Sequence, residues 1–508
     1  MLRLLLLLGM LPAAWAVEPA LMPLPAKVSP GTGALAIDRS FTVATADLSD
    51  PRLDAAMLRL TARLARQTGV PIPGQKTYHT ADAMLRIECR GRGGAYPTVG
   101  DDESYTLHVT PQGAVLRAAE VAGALHGIET FAQLAVPAAG GFAAPAIDIE
   151  DRPRFGWRGL MLDCSRHFMP VELIERNLDA MAGVKLNVFH WHLSDDQGFR
   201  AESESFPKLQ ETGSDGLYYT RSDIRRILAY ARDRGIRVVP EFDVPGHTTS
   251  WLVGYPELAS APGPYTIGRT WGVYENALDP TKEETYEFLD KLIGDMAALF
   301  PDPYFHIGGD EVVAKQWNAN PQIQAFARAH NLNDAHALQA YFNQRVSAIL
   351  KKHGKIMIGW DEILHPDLPQ GTVVQSWRGQ KSLAEAAAKG FRGILSWGYY
   401  LDHLSPARYH YGIDPLAGGA AQLTPEQAQR ILGGEACMWA EYVSAETVDS
   451  RIWPRAAAIA ERLWSPRETT DVESMYARLA SISRWLEWSG VQHRANYGPM
   501  LERLAGNR

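Results

Sequence analysis

Cysteine is scarce. The 508 residues hold three, Cys89, Cys164 and Cys437, so a disulfide framework is excluded and at most one bridge can form. An excess of basic charge is missing as well. Lys and Arg total 50 against 58 Asp and Glu, a net charge of −8 with no basic run. That is the wrong sign for a nucleic-acid partner. Beyond the first residues, no apolar stretch approaches the length of a membrane-spanning helix. No strand-like segment is followed by the Gly-rich fingerprint of a dinucleotide site. What is present is a chain 46% hydrophobic and 21% charged, with 14 Trp. That composition excludes a mainly disordered chain, and the length allows two or three domains of roughly 150 residues each.

Residues 1–16 read as a secretory signal peptide. Arg3 precedes the apolar run Leu4 to Leu8, and Ala14-Trp15-Ala16 is a small-x-small cleavage pattern. The mature protein is therefore expected to be exported, periplasmic or secreted, with no membrane span. Residues 17–150 read as a small α/β (α+β) domain. Leu53, Met57, Leu60 and Leu64 recur at helical spacing and stop at Gly69. Strand-like runs follow at 84–89, 105–110 and 114–118, with a helical stretch near 120–135. Pro137-Ala138-Ala139-Gly140-Gly141 has loop composition, and Asp151-Arg152-Pro153 marks a boundary. No catalytic constellation occurs here, so packing is the expected role.

Residues 151–508 alternate strands and helices. Short apolar strands are predicted at 159–164, 186–192, 236–242, 304–307, 355–359, 372–377, 393–398 and 434–439. Helical runs lie between them, such as Val171, Ile174, Leu178, Met181 and Leu338, Phe342, Val346, Ile349. Eight such strands predict a (β/α)8 TIM barrel, whose chemistry gathers at the C-terminal strand ends. Those ends are unusual. In order they lead to Asp163, Arg166 and His167; to His190, His192, Asp195 and Asp196; to Glu241, Asp243 and His247; and to His306, Asp310 and Glu311. The remaining four lead to Trp360, Asp361 and Glu362; to Trp377; to Tyr400 and Asp402; and to Trp439 and Glu441. Exits selected for solubility alone would be richer in Lys, Ser and Asn.

Carboxylates accept hydrogen bonds from hydroxyls, and indole faces cover the C–H face of a sugar ring. A phosphate ligand would call for Arg clusters or a helix N-terminus instead. Carbohydrate chemistry is the expected class. Asp310 and Glu311 are adjacent, so on a regular strand they would point to opposite faces. A bend at the strand exit lets both reach the pocket with unequal roles, Glu311 donating a proton and Asp310 serving a neighbouring substrate group. No second carboxylate nucleophile stands out, which leaves the substrate as a source of one. Two other readings compete. His190 and His192, at i and i+2, share a strand face and suit a metal-dependent barrel hydrolase, but strands five and six offer no His to complete the site. A non-catalytic amino-sugar-binding protein would keep the aromatic cage, yet it has no need of both Asp310 and Glu311.

Several segments then point to one family. They are 158–168, Phe189-His190-Trp191-His192-Leu193-Ser194-Asp195-Asp196-Gln197, Glu241-Phe242-Asp243-Val244-Pro245-Gly246-His247 and His306-Ile307-Gly308-Gly309-Asp310-Glu311. With Gly359-Trp360-Asp361-Glu362, Tyr400-Leu401-Asp402 and 434–441, they resemble glycoside hydrolase family 20, the β-N-acetylhexosaminidases. The resemblance spans 154 to about 465, and the preceding unit resembles that family's small domain, most clearly at 123–134. It implies retaining, substrate-assisted hydrolysis of terminal N-acetylhexosamine from a small or oligosaccharide substrate, with no cofactor and no metal. On this resemblance Glu311 is the acid and base, Asp310 accepts the acetamido N–H, and Tyr400 donates to the acetamido oxygen. Trp360, Trp377 and Trp439 wall the sugar. Arg166 and Glu441 hold ring hydroxyls, with Asp402 near the far ones. Asp195, His247 and His306 stand behind these groups, Asp195 and His247 orienting the acid. Cys164 and Cys437 fall on neighbouring barrel strands, as a bridge or as buried thiols.

Overall fold

Eight apolar runs close on themselves. In a computed structural model, which describes residues 20–46, 48–72 and 82–494, the strands are Trp157–Asp163, Val188–His192, Arg237–Glu241, Tyr304–His306, Ile356–Trp360, Val373–Ser376, Arg392–Leu395 and Ile431–Met438. All pair in parallel, and the eighth returns to the first with Cys437 opposite Met161. The predicted TIM barrel is the observed fold. The proposed leader, 1–16, lies outside the described residues.

The eighth strand starts earlier than its composition suggests, at Ile431, because two glycines open its apolar run. Gly433 cannot be replaced there: a Cβ would lie 1.9 Å from the Trp157 carbonyl oxygen. Cys89, Cys164 and Cys437 are buried free thiols, so no bridge joins strands one and eight.

The barrel interior is stratified, as period-2 side chains on parallel strands require. Trp157, Val188, Val239, Tyr304, Ile358, Val373 and Ile394 form an apolar lower layer. Above it lies a polar layer. His190 reaches Glu435 at 2.7 Å and Glu241 at 3.1 Å, and Gln375 donates to Glu435 at 2.7 Å. Met161, Trp360 and Cys437 close the top, against Trp377, Tyr400 and Trp439. His190 thus belongs to a hydrogen-bonded layer beneath the strand exits. His192 joins it through Glu241, 2.5 Å away.

The N-terminal unit is a seven-stranded mixed sheet under helices Pro51–Thr68 and Val121–Leu134. The first helix is bounded as its sequence predicts, by the Asp50 cap accepting from the Arg52 amide and by Gly69 at φ 68°. Residues 137–141 correct the sequence reading. They are not a free loop but straddle a hairpin, with Val136–Ala138 pairing onto Gly141–Asp151. Lys27–Ala36, also unpredicted, pairs with that long strand on its other side. Ala and Gly carry little β signal, and Pro137 is tolerated on an edge strand.

The small domain docks on the N-terminal face of the barrel, away from the strand exits. Fully buried Arg158 meets Glu103 at 2.6 Å, and the Trp464 indole donates to Asp151 at 2.9 Å. Burial raises the Glu103 carboxyl, but Arg158 and His126 outweigh it and hold the group far below the carboxylate range. Packing is the role this placement supports.

Candidate active site

The bend between Asp310 and Glu311 is built from backbone. Gly308, Gly309 and Glu311 have φ of 64°, 86° and 50°. Gly308 is obligatory, since a Cβ would fall 1.8 Å from Asp243 Oδ1. The Gly309 amide donates to that same oxygen at 3.0 Å, and Gln339 donates to the Gly309 carbonyl at 2.6 Å. The pinned turn gives two adjacent carboxylates different surroundings. The Asp310 side chain is 13% exposed, whereas the Glu311 side chain is 38% exposed at the mouth.

His247 ties the pair to the barrel. Its Nε2 lies 3.5 Å from Glu311 Oε2 and 3.9 Å from Asp310 Oδ2, while Nδ1 is 3.2 Å from both Asp195 Oδ1 and Asp196 Oδ2. Burial opposes charge on this imidazole, but Asp195, Asp196 and Glu311 outweigh it and raise its pKa well above the ordinary value. A cation therefore stands where the Glu311 carboxylate must form once it gives up a proton. Asp195 also receives Arg166 at 2.8 Å and His192 at 3.0 Å. These partners overcome its burial and carry it well below the carboxylate range.

The aromatic cage is continuous. Trp360 and Trp439 lie 5.7 Å apart, Tyr400 and Trp439 6.4 Å, and Trp377 stacks on Tyr400 at 6.4 Å and 12°. The Arg166 guanidinium sits 4.9 Å over Trp439. Glu241 fixes Trp360 by accepting its N–H at 2.9 Å. Burial, followed by the Cys437 thiol, keeps the Tyr400 phenol protonated, so it is a donor at neutral pH. Asp402 is pushed up to about 6 and Glu441 is raised, both by burial first. Asp310 Oδ1 and Asp402 Oδ1 are buried acceptors with no hydrogen-bond partner among the described residues. Such atoms cost about 1–3 kcal/mol each unless a ligand satisfies them.

Every residue singled out in the sequence therefore lies at the C-terminal end of the barrel. His306 stands lower, level with His190, whose ring is 4.6 Å away. It packs 5.0 Å from Trp360 and 3.1 Å from Glu241, so it supports the floor and touches neither Asp310 nor Glu311. His190, Glu241 and His306 each bring a potential ligand atom within 4.8 Å of the others, a spacing a metal could use. Three of their atoms are already engaged: His190 Nδ1 with Glu435, Glu241 Oε1 with the Trp360 N–H and His306 Nδ1 with the Gly308 amide.

Asp243 and Glu362 stand out in the sequence as strand-end residues, but without a place in the site. Asp243 shares a cluster with His247 and Asp310. Glu362 accepts the Trp377 N–H at 3.0 and 3.1 Å, because the short 3-10 turn Asp361–Ile363 carries it to the end of strand six. Burial, then the Asp310 and Asp361 charges, pushes Glu362 up to about 8. From its ordinary 4.5 up to that value, the folded protein binds more protons than the unfolded chain. Stability contributed at low pH is therefore lost as pH rises through this window. Glu362→Gln is expected to remove the penalty, so that its Tm relative to wild type climbs by about 2–4 °C between roughly pH 5 and 8.5. Calorimetry of both proteins checks this, and a pH-independent difference would contradict it.

A larger groove of about 1050 Å³ crosses the small domain's sheet. Its charges pair with one another, Lys27 with Glu150 and Arg117 with Glu88, both at 2.6 Å, as on any solvated face.

Comparison with known proteins agrees with this geometry. Residues 155–467 match the model of the glycosyl hydrolase family 20 catalytic domain, and 18–152 match that family's domain 2. The β subunit of mouse β-hexosaminidase is 41% identical over 408 residues, covering 78% of this chain and 74% of that protein. Among solved structures, a Flavobacterium johnsoniae chitobiase superposes with a TM-score of 0.91 at 45% identity, covering 96% of this chain and 76% of the other. A Vibrio harveyi exo-β-N-acetylglucosaminidase, solved with N-acetylglucosamine, gives 0.82 at 30% identity over 94% and 78%.

Proposed function

Since the chain belongs to glycosyl hydrolase family 20 and is a glycoside hydrolase of the β-hexosaminidase kind, we propose that it removes single N-acetylglucosamine or N-acetylgalactosamine residues from non-reducing ends, with retention, using the sugar's own 2-acetamido oxygen as nucleophile. The observation that carries this reading is the unequal pair: Asp310 buried with an unpartnered oxygen beside the cage, and Glu311 at the mouth against a charged His247. Glu311 protonates the departing oxygen, and the acetamido oxygen closes on the anomeric carbon to form an oxazolinium. The acetamido N–H donates to Asp310, whose charge balances the positive ring. Tyr400 donates to the acetamido oxygen and aims it. Glu311, now a carboxylate beside His247, then takes a proton from water as that water opens the ring. Arg166, Glu441 and Asp402 receive the outer hydroxyls, and the three Trp rings exclude water. The leader-like residues 1–16 support action outside the cytoplasm.

NMR of the reaction on an aryl β-N-acetylglucosaminide tests the reading. The first sugar released is expected to be the β-anomer, with α appearing only by later mutarotation. Immediate α product would overturn it.

A further inference from the structure

Three consecutive residues at the exit of strand five serve different parts of the cage. Trp360 is buried in the floor, while Asp361 and Glu362 leave over the short 3-10 turn and take hold of strand six. Asp361 accepts from Arg378 Nε at 2.7 Å and from Ser376 Oγ at 3.4 Å. Glu362 accepts the Trp377 N–H with both oxygens, at 3.0 and 3.1 Å. Two adjacent carboxylates thus clamp the two residues that follow strand six. Trp377 needs the clamp, because it is only half-buried where Trp360 is fully enclosed. A pocket of about 380 Å³, lined by Glu311, His336, Glu362 and Arg378 among others, opens beside the Glu362 carboxyl. Packing therefore does not enclose the carboxyl–indole contact on every side, and the orientation of the ring depends on the hydrogen bond. Trp377 in turn lies parallel to Tyr400 at 6.4 Å and 12°, with Trp439 6.4 Å from Tyr400.

In the proposed reaction the acetamido methyl packs against this ring wall. We propose that Glu362 is a positioning residue which, through Trp377, fixes the size of the N-acyl group the enzyme accepts. The wall ring cannot swing outward while its N–H is held, so the wall admits an acetyl and turns away a longer acyl chain. Overfilling a packed site forces side chains off their rotamers, and an anchored indole has no freedom to yield. Glu362 touches no reacting atom in this scheme. Its role rests on the proposed substrate-assisted reaction and sets which amides that reaction can use.

The test is the ratio of kcat/KM for the nitrophenyl β-glycosides of N-acetyl- and N-butanoyl-glucosamine, which share a leaving group and an amide nucleophile. Measured on one preparation, this ratio does not depend on the fraction of protein that is folded. Discrimination of methylenes in a hydrophobic pocket sets the wild-type ratio at about a hundred, and Glu362→Ala is expected to lower it at least about tenfold. Glu362→Gln keeps an acceptor oxygen for the indole and is expected to retain most of the ratio. In a Trp377→Ala background, adding Glu362→Ala is expected to change the ratio by less than about twofold, since the ring it acts on is gone. A wild-type ratio in Glu362→Ala, a fall in Glu362→Gln as deep as in Glu362→Ala, or an equal fall with and without Trp377 overturns the role. Wild-type protein that cleaves a plain β-glucoside as fast as the N-acetyl compound would instead remove the underlying reaction.

Discussion

Glu311→Gln is expected to lower kcat/KM on a β-linked disaccharide by about a thousandfold, within the range a positioned general acid supplies. The sugar alkoxide expelled from such a substrate is strongly basic, so its departure needs a proton in the transition state. The Glu311 carboxyl is placed to give it: half in solvent, at the end of a strand-exit bend, with Nε2 of His247 3.5 Å away to stabilise the carboxylate left behind. Gln keeps the size and the hydrogen bonding but has no proton to give. The loss must therefore depend on the leaving group. With a dinitrophenyl aglycone, which departs without protonation, kcat/KM is expected to fall by less than about tenfold, while kcat falls further because the same residue activates water in the second step. Steady-state kinetics over a series of aryl and sugar aglycones checks this. A loss of equal size across the series would assign Glu311 to binding rather than proton transfer.

The barrel was legible because each strand is a short apolar run and each exit carries chemistry. Periodicity shows both without any knowledge of contacts, and Trp157–Asp163 or Val188–His192 are buried at every position, as a parallel barrel demands. One side of the small domain's sheet was not legible. Lys27–Ala36 and Gly141–Asp151 are held by ladder hydrogen bonds to each other, and their Gly, Ala and Pro content hides that pairing. Within the site, residue types could be placed at the strand exits in advance, but the direction each side chain takes could not. Glu362 stands beside Asp361 in the sequence, and only the turn at Asp361–Ile363 decides that one carboxylate meets Arg378 while the other accepts the Trp377 indole. His306 stands behind the site, as its motif suggests, packed against Trp360 and Glu241.

Replacing the 2-acetamido group of the substrate by a hydroxyl is expected to reduce kcat/KM at least about ten-thousandfold, the largest effect foreseen for this protein. A well-oriented intramolecular nucleophile is worth roughly 10⁵ M or more in effective concentration, and a hydroxyl at C2 cannot supply it. The protein has little to offer in exchange. Asp310 is fixed by the Gly308–Gly309 turn beside Asp243 and His247, where its unpartnered oxygen suits an amide N–H. Glu362 is turned away into the Trp377 N–H and, at about 8, holds its proton at neutral pH. Trp377, Tyr400 and Trp439 form the ring wall against which the proposed methyl amide would pack, and a hydroxyl would leave that wall uncovered. The same logic makes a thiazoline, a stable copy of the fused bicycle, a strong competitive inhibitor. Comparing nitrophenyl β-glucoside with nitrophenyl β-N-acetylglucosaminide separates the cases. Similar rates would mean that a protein carboxylate attacks the anomeric carbon, leaving Asp310 and Tyr400 with no acetamido group to hold or aim during the reaction.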